Sequence, residues 1–384
     1  VDSTSGTYLK ATGGSVIVMD PKTGRILAMA SNPTYDPAVF TGGLSYKEAQ
    51  SLDLCFPGKP CPQPSHNNPL LDRALLAAYP PGSTFKPFVA AAAIKDKFAS
   101  LTGSYHCPSD IEYGGVTFHN WDPGDHGYYS MADALAHSCD TVFYQFGIDW
   151  WRQYYNSGRT DELFQRDLRQ MGFGKPTGID LPADASGRVP TEQYTHDLYK
   201  AHPSVFGRYY GWLPGFYINM SIGQGFMLVT PMQLAEAYSA VANGGTLFAP
   251  RVGYKVVTPG GKTLSTIEPE KEGRLPLPRK TVLALRDALT GVTTHGTAAF
   301  SFQGFPLGQI PVAGKTGTAD ITGKQPFSWF AAMAPANNPK YVVVAMVEQG
   351  GHGSTTAAPM VRRILEGLFG LNPGKNLQAG LSVD

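Results

Sequence analysis

The first clear pattern along the chain is a pair of apolar runs, SVIVMD at residues 15–20 and RILAMAS at residues 25–31, separated by Pro21-Lys22-Thr23-Gly24. Two β-rich runs around a Pro/Gly turn predict a hairpin. Residues 32–72 are rich in Pro, Gly and Asn and predict irregular loop with at most a short helix. Pro80-Pro81-Gly82 then punctuates the chain ahead of an Ala-rich segment, residues 83–97, in which Ala favours helix. Pro87 fits that helix only in its first turn, since deeper in it would remove a hydrogen bond and clash with the turn before it. The helix is therefore expected to begin at about Ser83 or Thr84.

A mostly helical middle follows. Thr230 and Pro231 read as N-cap and first helical residue, and Gly244-Gly245 as the stop. Residues 278–292 predict a second helix with Val282, Leu285 and Leu289 on one face. Residues 310–319, 328–334 and 341–349 then read as three strands, and the short turns between them suggest antiparallel neighbours. Residues 356–369 place Met360, Ile364, Leu365 and Leu368 at helical spacing. There is no internal repeat. The expected fold class is α+β. A central antiparallel sheet is built from the N-terminal hairpin and the C-terminal strands and flanked by helices, with a mostly helical part inserted. The sheet-forming parts are about 13–31 and 305–370, and the helical part about 83–300.

Composition narrows the function. Hydrophobic residues are 42% and charged residues 16%, enough apolar material for a sizeable core, which argues against disorder. Lys+Arg 31 against Asp+Glu 30 gives a net charge of +1, which argues against a nucleic-acid partner. No apolar run approaches the roughly 18 residues of a membrane span. The chain starts at Val1 rather than Met, so any signal peptide or anchor is expected to lie outside it. Cys55, Cys61, Cys107 and Cys139 allow three pairings, among which sequence does not choose.

Three short motifs carry candidate chemistry. In Ser83-Thr84-Phe85-Lys86 a spacing of three puts Ser83 and Lys86 on one helix face. A serine hydroxyl is a poor nucleophile until a neighbouring base takes its proton. Lysine is a base only when neutral, which burial or a second cation favours. Free N–H groups at a helix start suit an oxyanion. Alone, this motif reads better as a helix cap with a solvated lysine. Lys315-Thr316-Gly317-Thr318, on a predicted strand, offers a cation, two hydroxyls and a glycine that allows close approach, which suits a substrate carboxylate. In Ser138-Cys139-Asp140, an extended backbone would aim Ser138 and Asp140 at a site and Cys139 elsewhere; the plain alternative is a helix cap before residues 141–146.

Together and in this order, S-x-x-K, S-x-[ND] and K-T-G resemble the signature set of penicillin-binding proteins and serine β-lactamases. Residues 13–37, 79–87, 172–182, 223–235 and 328–335 are similar to class B penicillin-binding proteins, so the resemblance covers most of 13–369. His126-Gly127 and SCDTVFYQ at 138–145 are most similar to the elongation-type branch, penicillin-binding protein 2. The resemblance implies the penicillin-binding protein/β-lactamase-like fold, with residues 1–384 forming a transpeptidase domain. It also implies a serine D,D-transpeptidase that cross-links peptidoglycan stem peptides without a cofactor and is inhibited by β-lactams. By that likeness Ser83 attacks the D-Ala-D-Ala bond and Lys86 is the base. Ser138 relays a proton to the leaving group with help from Lys315. Thr316, Gly317 and Thr318 bind the substrate, and the N–H groups of Ser83 and Thr318 form an oxyanion hole. A membrane glycosyltransferase partner, an extracytoplasmic location, and an N-terminal transmembrane anchor and pedestal outside this chain are implied too.

Asp140 departs from the family's usual Asn. An ionised Asp only accepts hydrogen bonds, so it is expected to pair with Lys86 or Lys315 and favour that lysine's charged form. Elongation-type members resemble this chain in having Asp. Cys107, Asp110, His119, Asp122, Asp125, His126 and Cys139 cluster within 33 positions. Some elongation-type relatives carry zinc near here, which makes zinc close to His126 and Cys139 one reading; a Cys107–Cys139 disulfide and plain burial are the others. Cys55 and Cys61 bracket a turn-forming loop and are expected to be bridged. A serine β-lactamase and a β-lactam sensor module remain the competing functions.

Overall fold

The computed structural model describes residues 8–62, 68–209 and 211–372. Residues 63–67 of the expected loop lie outside the described residues, as do 373–384 at the end of the chain. Strands β1 (Gly13–Met19) and β2 (Ile26–Asn32) form the expected hairpin. Strands β3 (Ala313–Ala319), β4 (Phe327–Ala334) and β5 (Tyr341–Glu348) complete a five-stranded sheet in the order β3-β4-β5-β1-β2. Every pairing is antiparallel, and β1 closes the two distant parts of the chain by pairing Gly13 with Glu348 through Met19 with Val342. All eight residues of β4 are buried. Because successive side chains of a strand point to opposite faces, both faces of the sheet are therefore covered.

Helices supply the cover. Lys86–Lys95 (α1) is buried from Lys86 to Ala93 on every side, as its uniform Ala-rich apolar sequence requires. Met131–Ala136 (α2) and Asp140–Asn156 (α3) carry the second motif between them. Pro231–Asn243 (α4) starts with a capping box from Thr230 and Gln233, and ends at Gly244 in the left-handed conformation that glycine tolerates best. It packs on β1, β4 and β5, as Ala358–Leu368 (α6) packs on β4 and β5. Arg279–Ala288 (α5) packs on α4.

Four details differ from the sequence pattern. The strand expected from residue 310 begins at Ala313, because Pro311 has no N–H for the ladder. The helix expected over 278–292 stops at Ala288 and resumes as a short turn, Gly291–Thr294. A π-turn, Gly353–Ala357, precedes the last helix. The middle of the chain also carries small two-stranded sheets, such as Ser104–His106 with Tyr128–Ser130 and Asp110–Tyr113 with Val116–His119, whose strands are too short for periodicity to announce.

Candidate active site

Ser83 lies in a 3₁₀ turn, Gly82–Phe85, that leads directly into α1, with Pro87 in the first helical turn. Three contacts from other elements hold this turn. Tyr238 Oη donates to the Thr84 carbonyl at 2.8 Å, Trp329 Nε1 donates to the Pro80 carbonyl at 3.1 Å, and the Gly82 N–H donates to the Gly223 carbonyl at 3.0 Å. Phe85 and Phe88 pack on Phe173 with ring centroids 4.9 and 5.0 Å away, filling the core beneath. Ser83 is half-buried, whereas Lys86 is fully buried.

Burial of an ammonium is costly unless acceptors surround it. Lys86 Nζ donates to the Ser138 carbonyl at 2.6 Å, to Ser138 Oγ at 3.1 Å and to Asp140 Oδ1 at 2.7 Å. Of the two lysines that Asp140 was expected to pair with, the partner is thus Lys86. The second motif is not an extended stretch. Ser138 ends the turn after α2 with φ 57°, and Cys139 is the N-cap of α3. Glycine usually occupies such a left-handed position. The cap geometry still turns Ser138 and Asp140 toward Lys86, because the chain reverses between two helices there.

Two residues that sequence reasoning missed orient Asp140. The Trp121 N–H donates to Asp140 Oδ2 at 3.2 Å, and Asn120 Oδ1 accepts the Asp140 N–H at 2.8 Å. Both carboxylate oxygens therefore face donors, one an ammonium and one an amide. An asparagine at this position would turn its NH₂ toward one of them, which accounts for aspartate here. Asn120 and Trp121 sit next to His119 and Asp122, which sequence had grouped as metal ligands; the polar cluster was the available signal, but its use is hydrogen bonding.

The third motif occupies edge strand β3. Lys315 is fully buried, and its Nζ donates to the Thr316 carbonyl at 3.4 Å and Oγ1 at 3.5 Å. Thr316 Oγ1 and Thr297 Oγ1 are 2.6 Å apart, and Thr318 Oγ1 accepts the Gly353 N–H at 3.2 Å. Gly317 is required by packing: a Cβ there would stand 2.8 Å from Thr84 Cγ2 and 2.9 Å from the Pro81 carbonyl. The missing side chain lets the strand lie directly against the Ser83 turn.

Ser83, Ser138, Asp140, Thr316 and Thr318 all line one cavity of about 330 Å³, with Gln224, Tyr144, Asp320 and His352 completing its walls. Burial pushes the Asp320 carboxyl up, against the lowering effect of His352. Burial, and after it Asp140, pushes the Tyr144 hydroxyl up. The pocket thus combines a half-buried hydroxyl, a buried lysine–carboxylate pair and a strand of hydroxyls and N–H groups. Such a set can accept a peptide-like chain and open it by nucleophilic attack.

Cys55 bonds Cys61, and Cys107 bonds Cys139. The latter pairing uses the sulfurs that the zinc reading needed. Of the other members, Asp122 Oδ2 lies 3.2 Å from His126 Nε2, whereas Asp125 Oδ1 turns to His106 Nε2 at 3.1 Å. Among the described residues no group of three or more His, Cys, Asp or Glu is placed to hold a metal. The residues present do not fit zinc.

The chain belongs to the penicillin-binding protein transpeptidase domain family, whose model matches residues 14–366. It is 31% identical over 376 residues to the peptidoglycan D,D-transpeptidase MrdA of Acinetobacter baumannii, covering 90% of this chain and 49% of that protein. The chain spans about half the length of the curated MrdA relatives it matches. Penicillin-binding protein 2 of Helicobacter pylori, solved in complex with MreC, superposes with a TM-score of 0.75 at 29% identity, covering 93% of this chain and 60% of that one. Penicillin-binding protein A of Mycobacterium tuberculosis, solved as a ceftriaxone acyl-enzyme, superposes with a TM-score of 0.72 at 26% identity, covering 92% of this chain and 73% of that one. The fold is that of these transpeptidase domains.

Proposed function

We propose that the chain is the transpeptidase domain of a peptidoglycan D,D-transpeptidase of the penicillin-binding protein 2 type, acting in cell-wall elongation. The observation that carries this reading is the convergence of all three motifs on one pocket of about 330 Å³. Ser83 Oγ attacks the carbonyl carbon between two D-Ala residues, and its proton passes to Lys86, which serves as the neutral amine after its ammonium has passed a proton to Asp140. The developing oxyanion takes hydrogen bonds from the Ser83 and Thr318 N–H groups. Ser138, 3.1 Å from Lys86 Nζ, returns a proton to the departing D-Ala nitrogen. Asp140 holds Lys86 and Ser138 in register. Lys315 assists that proton relay, and Thr316 and Thr318, beside Gly317, hold the donor's terminal carboxylate. A β-lactam enters as a donor mimic and stalls as the acyl-enzyme.

On this reading the whole described chain works as one transpeptidase domain, with the sheet-forming ends and the inserted helical part each contributing a wall of the pocket. It acts outside the cytoplasm, in keeping with its two disulfides. The longer protein is anchored by an N-terminal transmembrane helix and works beside a membrane glycosyltransferase that supplies the glycan strands. Among the described residues no helix is long and apolar enough to cross a membrane.

A chromogenic β-lactam tests the reading. The expected result is a burst of one equivalent followed by slow release, with labelling abolished in a folded Ser83→Ala variant. Rapid turnover would instead indicate a β-lactamase. Failure of the full-length protein to cross-link stem peptides, despite a normal burst, would indicate a sensor. Labelling that persists in Ser83→Ala would overturn the nucleophile assignment.

A further inference from the structure

Along strand β3 the reactive pocket is uneven in charge, and the acylation chemistry uses only part of that row. Thr316, Thr318 and Asp320 alternate along the strand and the residue that follows it, and all three line the pocket. Alternate positions of an extended chain share one face. The buried Lys315 stands at the start of this row and Asp320 at its end.

Asp320 differs from the pocket's other carboxylate. Asp140 is matched by Lys86 at 2.7 Å, whereas Asp320 has no cation within ion-pair distance among the described residues. Its side chain is exposed to solvent and also walls the pocket. The charged or titratable groups that act on it are His352, from the loop after β5, and Asp140, from α3. His352 lines the same pocket. A cation brought beside Asp320 would favour its ionised form.

The position of Ser83 decides what meets this carboxylate. A Cβ on Gly82, the residue before Ser83, would stand 2.5 Å from the Thr318 carbonyl, so the nucleophile's turn lies against the strand at Thr318. No residue of β3 before Thr316 lines the pocket. A donor acylating Ser83, with its carboxylate held at Thr316 and Thr318, must therefore run its acyl arm past Thr318 toward Asp320. Asp320 lies about 7 to 13 Å along the row from those two threonines, at roughly 3.3 Å per residue. A charged group on the acyl arm at that distance from the donor's carboxylate comes beside Asp320.

We propose that Asp320 sets the charge preference of the acyl donor, favouring an ammonium on the acyl arm and disfavouring a carboxylate there; the proposal rests on the transpeptidase reading above. No bond to Asp320 forms or breaks. Its charge acts on the encounter that precedes attack by Ser83 and leaves the proton path through Lys86 and Ser138 as it is.

Three penicillins of one skeleton test it: benzylpenicillin, its α-amino derivative ampicillin and its α-carboxy derivative carbenicillin. The second-order rate of acylation is read for each by intact-protein mass spectrometry at low ionic strength. Comparing rate ratios between proteins cancels the intrinsic reactivity of each compound. The amino-to-parent ratio should fall about fivefold in Asp320→Asn, and the carboxy-to-parent ratio should rise by about the same factor. Asp320→Lys should carry both changes further. Added salt should shrink the discrimination of the unsubstituted chain and leave that of Asp320→Asn alone. Ratios that stay the same in all three proteins overturn the proposal. So does an equal slowing with every compound, which would mark a merely structural role. Failure of benzylpenicillin to label the unsubstituted chain would refute the transpeptidase reading and this proposal with it; normal labelling with ratios indifferent to Asp320 would overturn this proposal alone.

Discussion

On the helix side of the reactive pocket, Lys86 and Asp140 meet at 2.7 Å with Trp121 and Asn120 hydrogen-bonded behind them and a disulfide alongside, whereas on the strand side residues 315–318 are seated by backbone shape against the Ser83 turn. The helix side is built from directional and charged contacts between elements far apart in sequence. The strand side is built from close approach: a Cβ on Gly82 would stand 2.5 Å from the Thr318 carbonyl, and one on Gly353 2.6 Å from the Gly317 carbonyl. The contrast follows from the tasks proposed for them. Moving protons needs donors and acceptors whose positions are fixed in pairs. Binding an extended peptide needs an accessible strand edge with hydroxyls and N–H groups at regular spacing.

If the two sides differ in this way, they should fail differently. The largest effect on acylation is expected from Asp140→Asn, which keeps the shape but turns an NH₂ toward Lys86 or Trp121. Acylation by a fluorescent penicillin should slow about 10²-fold, with a lowered melting temperature because the buried Lys86 loses its counter-ion. A rate within twofold of the original would remove charge pairing from the account of the helix side.

Next is removal of the Cys107–Cys139 bridge as a double alanine variant. Its 32-residue separation predicts a loss of about 3–4 kcal/mol, against about 2 kcal/mol for Cys55–Cys61 with a separation of 6. Cys139 stands between Ser138 and Asp140, so the first variant should also acylate more slowly, while the second keeps its rate. Denaturant unfolding and acylation kinetics on the same samples check both parts.

A smaller effect belongs to the strand side. Gly317→Ala should cost about 1–3 kcal/mol of stability through overpacking against Thr84 and Pro81. It should lower affinity for the donor rather than the maximal acylation rate, because the proton path is left intact. A change confined to the maximal rate would blur the distinction between the sides.

The smallest effect lies beneath both. Glu236 on α4 is buried with neither carboxylate oxygen hydrogen-bonded among the described residues. Burial, then Glu272, raises its pKa well above the ordinary carboxylate value. The folded protein thus holds a proton that the unfolded chain releases above about pH 4.5, the group's ordinary value. Its contribution to stability is therefore fully present below that value and is lost as pH rises from there through the raised value of the folded state. Glu236→Gln should flatten that fall between pH 5 and 8, without touching acylation. Thermal denaturation across that range reads it, and an unchanged slope would mean the carboxyl is already ionised in the fold.

Much of this architecture was legible before any coordinates. The hairpin at residues 13–32 carries an unbroken apolar run around a Pro/Gly turn, and α4 announces itself through Thr230, Pro231 and Gly244 at its ends. Pro87 alone fixes where α1 can start. These are local signals, set by backbone sterics and by which side chains can cap an end. Asn120 and Trp121 were not legible as partners of Asp140, because a backbone N–H donor leaves no trace in residue identity. Nor was the helix-cap geometry of Ser138, since a serine at a left-handed φ breaks the rule by which glycine marks such positions. The choice between disulfide and zinc for Cys107 and Cys139 also stayed open, because both need only that the two sulfurs be close.

What the sequence by itself determined is the set of reactive groups, their order, and the local elements that carry Ser83 with Lys86 and Lys315 with Thr318. Covalent connectivity and short-range sterics suffice for that. What the tertiary structure decided is which of those groups touch: that Asp140 pairs with Lys86 at 2.7 Å and that Trp121 stands behind it. Such contacts join residues separated by tens to hundreds of positions. They depend on how the helical insertion packs against a sheet made from the two ends of the chain, which no local pattern encodes.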